Sequence, residues 1–126
     1  MIDNKSPKEQ TVESKLTELV DTIVAKYTDG DDLPKQLLDA MLNNAEIEAI
    51  QNYANNVSIT RIGLNDHGPV HMKTVCRNAM KMLSLLHEAG IETSLEKEHA
   101  GTFADSVCGV MLAAMLHDSG MTIARK

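Results

Sequence analysis

The sequence predicts an all-α domain of about five helices, and three observations lead there. Apolar residues recur at steps of three and four along most of the 126-residue chain. Aromatic residues are nearly absent, with one Phe, two Tyr and no Trp, while Met occurs eight times. A core of that kind is built from Leu, Ile, Val, Met and Ala on helices, whereas a β-sandwich is enriched in aromatic and β-branched residues. Helix start and stop residues also stand where the periodicity begins and ends. The length suits one domain with a single modest core.

The run SPKEQTVESKLTELVDTIVAKY predicts the first helix. Ser6 can cap it, Pro7 fits the first helical position, and Glu9 would complete a capping box. Val12, Leu16, Leu19, Val20, Ile23, Val24 and Tyr27 then share a face. TDGDD ends it. Counted from Asp29, the sixth and twelfth places hold Pro34 and Ala40 where an EF-hand loop needs Gly and Glu. A solvated turn with an N-cap at Asp31 or Asp32 is expected instead. Two short helices follow, one facing inward through Leu37, Leu38, Met41 and Leu42, the other through Ile47, Ile50, Tyr53, Ala54 and Val57. Asn43-Asn44 breaks them.

SITRIGLNDHG is rich in turn formers and reads as a loop. Pro69 opens the fourth helix, Val70, Val75, Cys76, Ala79, Met82, Leu83 and Leu86 form its stripe, and Gly90 supplies a left-handed C-cap. IETSLEKEHAG reads as a polar connection. Thr102 can cap the last helix, with Asp105 at its third position. From Val107 to Leu116 nearly every residue is apolar, so this helix is expected to be central and covered on most sides.

Charge narrows the function classes. A formal net charge of -6 argues against a nucleic-acid polymer, whose binders normally carry a basic face, and leaves room for a small basic patch inside a site. No apolar run reaches the roughly 18 residues that span a bilayer, so no membrane partner is expected. MIDNKSPKEQ lacks the apolar stretch of a signal peptide, and a cytoplasmic location is expected. Cys76 and Cys108 are then buried free thiols in a reducing compartment.

The chemistry concentrates at LAAMLHDSGM, where an apolar helix runs into His117 and Asp118. Of five histidines, His87 lies in the last turn of its helix, where the dipole favours positive charge, and His99 lies in the polar connection. Both read as ordinary surface or core residues. His67 and His71 differ, standing together in NDHGPVHMKTV at the mouth of the fourth helix. A zinc-protease helix requires H-E-x-x-H, but Gly68 stands where the Glu would be and Pro69 disfavours helical geometry there. His67 is therefore placed in the loop and His71 on the first turn.

The pattern H-x-x-x-V from His71 to Val75, with LHDSG placing His117 46 residues after His71, resembles the HD superfamily of metal-dependent phosphohydrolases. NDHGPVHMKTV and AAMLHDSGMTIARK look like a prokaryotic, archaeal-leaning branch, and the resemblance covers residues 60–126. It implies an orthogonal helical array, with 59–126 as the N-terminal part of an HD domain and 1–58 as a helical segment packing on it. By motif it places His71, His117 and Asp118 on a divalent ion, one of Mn, Fe, Co, Ni, Zn or Mg, and two imidazoles with a carboxylate suit the first five of these. The implied reaction is hydrolysis of a small phosphate ester, such as a nucleotide, by a metal-bound hydroxide. Asp118 and His67 are the candidates for proton transfer, and His67 also for a phosphate contact. Lys73 and Arg77 are expected as solvated residues, with phosphate neutralisation the alternative.

The family's last ligand is an Asp from a later helix, and only SGMTIARK follows Asp118. The expectation is an HD domain incomplete at its C-terminus, weak or inactive alone, with apolar surface that drives homo-oligomers. The rival reading is a non-catalytic helical interaction module that keeps the HD fold.

Overall fold

The computed structural model describes residues 5–56 and 68–117, and their regular structure is entirely helical. The helices are α1 (Pro7–Tyr27), α2 (Leu33–Leu42), α3 (Ala45–Asn56), α4 (Pro69–Glu88), α5 (Ser94–Lys97) and α6 (Phe103–Leu116). The loop expected over 58–67, with His67, and everything from Asp118 onward lie outside the described residues, as do the side chains of Ile50, Ala54 and Val57. No helix among the described residues is long and apolar enough to cross a membrane.

Local signals account for the boundaries. Ser6 Oγ accepts the Glu9 amide at 3.1 Å at the start of α1, while the Glu9 carboxylate turns to Lys73. Asp32 is the N-cap of α2, and the neighbouring Asp31 carboxylate accepts the Leu33 amide at 3.0 Å. Asn43 ends that helix and Asn44 starts α3 by accepting the Ile47 amide at 3.0 Å. Pro69 opens α4, and Gly90, at φ 80°, follows its C-cap in the left-handed region. Thr102 and Asp105 form both halves of a capping box at α6.

The polar connection holds one helix more than expected. Thr93 and Glu96 make a complete capping box for the single turn α5. Thr-x-x-Glu is the sequence signature of that box, so the signal was present in IETSLEKEHAG. Four helical residues are too few to show apolar periodicity, which is why the turn hides in a periodicity reading.

The core lies where α4 packs against α1 on one side and α6 on the other, with α2 closing onto α6. Leu16, Val20 and Ile23 of α1 meet Cys76, Met80 and Leu83 of α4 and Phe103, Val107, Met111 and Met115 of α6. α4 and α6 run antiparallel: His87, near the end of α4, stacks on Phe103, and His71, near its start, stands beside His117. α6 is covered over one broad face. Its opposite side, at Gly109, Leu112 and Ala113, is exposed, with Leu112 at 41%. Cover on most sides is therefore too strong an expectation. Glycine and alanine on that side carry little apolar area, which lets it face water at small cost.

Cys76 and Cys108 are buried free thiols, as expected. Desolvation pushes the Cys76 thiol up to about 12, and desolvation followed by the charges of Asp105 and Asp31 raises Cys108. Neither is a thiolate nucleophile near neutral pH.

Lys73 is not solvated. It is 3% exposed between α1 and α4, with Nζ 2.5 Å from Glu9 Oε2 and 2.6 Å from Glu13 Oε2. Lys5 adds a second ammonium on Glu13 at 2.5 Å. Residue 73 falls on the buried side of α4 beside Met72 and Cys76, so its charge must be met from the facing helix. Glu9 and Glu13, one turn apart on α1, meet it. Burial alone would raise the Glu13 carboxyl, but hydrogen bonds from Lys5 and Lys73 outweigh it and hold Glu13 below its ordinary value.

Breaking this cluster one-sidedly strands a buried carboxylate. Lys73→Met should cost about 3 kcal/mol in urea unfolding, and adding Glu9→Leu to it should restore most of the loss. Because folding depresses the Glu13 carboxyl, its contribution is complete above the unfolded value of about 4.3 and is lost as pH falls through the lower folded value. Glu13→Gln should flatten that acid limb in a stability–pH titration.

Candidate functional site

His71 sits on the first turn of α4 and His117 at the C-cap of α6. The antiparallel packing of the two helices sets their ring centres 5.9 Å apart, with planes inclined at 55°. Two of the predicted ligands, 46 residues apart in sequence, are thus neighbours in space. His71 is half-buried and His117 exposed.

The last turn of α6 is held from both directions. His117 Nδ1 lies 2.7 Å from the Ala114 carbonyl oxygen. A carbonyl only accepts, so Nδ1 is the donor in this contact. Metal-binding histidines are oriented in this way by a backbone carbonyl. From the other side, Gln51 Nε2 of α3 donates to the Met115 carbonyl at 2.9 Å. Gln51 is 1% exposed. A helix end leaves its last carbonyls without intrahelical donors, and here two side chains supply them.

Gln51 is absent from the sequence-predicted set. Its signal was a polar residue one turn after Ile47, on the stripe assigned to the core of α3. Tyr53, expected inward on that stripe, is 52% exposed instead. The helix is turned so that the amide, which can satisfy a buried carbonyl, takes the inner position.

Asp118 and His67, the remaining predicted site residues, lie outside the described residues. Among the described residues no group of three or more His, Cys, Asp or Glu side chains could hold a metal ion. Arg77 is half-buried on α4, and Lys73 is committed to Glu9 and Glu13. Lys73 is therefore withdrawn as a phosphate contact.

His87 and His99 are not part of this centre. Both line a cleft of about 900 Å³ at the opposite end of α4 and α6. Tyr27 in the same cleft donates its hydroxyl to the Glu88 carboxylate, and that hydrogen bond raises the phenol above its ordinary value.

Over 93 residues, 74% of this chain, the sequence is 39% identical to an uncharacterized protein of Methanocaldococcus jannaschii. The chain spans only 36% of that relative's length. No protein-family model matches the chain, and no solved structure matches it.

Replacing Gln51 by Leu keeps volume but leaves the buried Met115 carbonyl without its donor. Gln51→Leu should cost about 2 kcal/mol. Amide hydrogen exchange should rise most in the last turn of α6, with α1 little changed.

Proposed function

We propose that this chain carries the metal-binding part of an HD-type metal-dependent phosphohydrolase acting on small phosphate esters such as nucleotides. The observation that carries the reading is the approach of His71 and His117. One ion bonded to two imidazole nitrogens at about 2.1 Å each spans such a separation. The Nδ1 bond of His117 to Ala114 presents Nε2 as its donor atom.

In this reading His71 and His117 hold a divalent ion together with the carboxylate of Asp118. Such an ion, from the set Mn, Fe, Co, Ni, Zn or Mg, supplies Lewis acidity to a phosphoryl oxygen and acidifies water. Asp118 and His67 would be the candidates for moving the protons of water and leaving group, and His67 also for meeting a phosphate oxygen. Lys73 fixes α4 against α1 and so keeps His71 in place. A cytoplasmic, self-associating protein fits the acidic composition and the free thiols.

A second reading, a non-catalytic interaction module of the same fold, draws on one observation. Met82, Leu85 and Leu86 on α4 are exposed, Met82 by 63%. A contiguous apolar surface of this sort favours a protein partner or a second copy.

Elemental analysis after growth in metal-supplemented medium separates the two. The phosphohydrolase reading expects bound divalent metal in the wild type and at least about ten-fold less in His117→Ala and His71→Ala, as loss of a ligand demands. Equal metal in wild type and His117→Ala would remove the site assignment and leave the interaction module. Where phosphoester hydrolysis is measured, His67→Ala should slow it at least ~10-fold while His99→Ala changes little.

A further inference from the structure

His87 stands 16 residues after His71 on α4, a separation of about 24 Å along the helix. The cleft around it is therefore a different place from the candidate metal centre. It opens between the end of α1, the turn after it, and the connection from α5 to α6. Three rings in mutual contact form one wall. His87 lies 4.1 Å from Phe103 and 4.8 Å from Tyr27, and Tyr27 meets Phe103 edge-on at 6.3 Å, all between ring centres.

The rim is acidic. Asp29, Asp31, Glu92 and Glu96 line it, against Lys26. Two of these carboxylates are already engaged: Asp31 accepts the Leu33 amide and Glu96 the Thr93 amide. Asp29 and Glu92 make no hydrogen bond or ion pair among the described residues.

The backbone sets the shape of the cleft. Among the described residues, the non-glycine positions with left-handed φ are Asp29 at 52° and His99 at 55°. Both line this cleft, and each directly follows the C-cap of a helix. Glycine is the usual occupant of that position because it adopts the conformation without strain. Asp and His are among the non-glycine residues that adopt it most readily, so both positions are helix terminations that shape the cleft.

Anions do not fit. The start of α6 reaches the cleft, but Thr102 and Asp105 already cap it, and Asp105 adds a carboxylate there. A metal ion has no three-ligand group among the described residues. A cation with an apolar body fits both features: the half-buried Tyr27 and His87 rings, backed by the buried Phe103, attract it, and carboxylates meet its charged end. We propose that this cleft binds a small organic cation, an ammonium or guanidinium compound, with its apolar body on the Tyr27–His87–Phe103 wall and its charge between Asp29 and Glu92.

Phe103 is the sole phenylalanine of the chain, so its ring protons report on the wall without ambiguity in a proton NMR spectrum. The intact protein is titrated with benzylammonium and, separately, with benzyl alcohol, which keeps the ring and lacks the charge. Saturable shifts of Phe103 and Tyr27 with a millimolar or tighter Kd are expected for benzylammonium, with benzyl alcohol at least ~5-fold weaker. Asp29→Gly should weaken benzylammonium several-fold while leaving Tm unchanged or higher, because glycine relieves the left-handed backbone. Glu92→Gln, at an exposed position, should weaken binding likewise and decides the matter if Asp29→Gly does not fold. No saturable shift up to ~20 mM, equal affinity for both probes, or undiminished affinity in Glu92→Gln would overturn the proposal.

Discussion

The antiparallel contact between α4 and α6 is the constraint on which the other features depend. Cys76, Met80 and Leu83 pack against Val107, Met111 and Met115, and sliding one helix past the other would open that core. Both ends of the pair inherit their geometry from this register. At one end His71 meets His117, and at the other His87 stacks on Phe103. Polar contacts then anchor each helix of the pair to a further neighbour: Lys73 ties the first turns of α4 to Glu9 and Glu13 of α1, and Gln51 ties the last turn of α6 to α3. Each lies within two residues of one of the paired histidines.

Periodicity and capping made most of this architecture legible in the sequence. The face of α1 through Leu16, Val20 and Ile23, the break at Asn43-Asn44, the start of α4 at Pro69 and the Thr102–Asp105 box all stand where local chemistry put them. The meeting of His71 and His117 was legible as well, though only through a motif resemblance, since no local rule brings residues so far apart together. What escaped was set by tertiary partners. Lys73 looks like a surface cation until α1 is laid against it. Gln51 looks like a polar residue on an apolar stripe until the Met115 carbonyl appears beside it. The α5 turn escaped for the opposite reason: its signal was local and complete, but too short for periodicity to register.

The two ends of the α4–α6 pair differ in chemistry, and the difference is instructive. The His71–His117 end offers imidazole nitrogens, one with its tautomer set by a backbone carbonyl, which suits a divalent ion. The His87 end sets a half-buried imidazole against two other rings in a cleft whose rim carries carboxylates, the features on which an organic cation is proposed. The buried thiols of Cys76 and Cys108, raised by desolvation, take part in neither.

The central claim is that the α4–α6 register brings His71 and His117 onto one ion. Anomalous diffraction from crystals of the protein grown with cobalt tests it directly. The account predicts a single strong peak within about 2.1 Å of an imidazole nitrogen of each histidine, with His117 bonded through Nε2. A peak at one histidine with the other turned away, or cobalt bound only elsewhere on the surface, would contradict it.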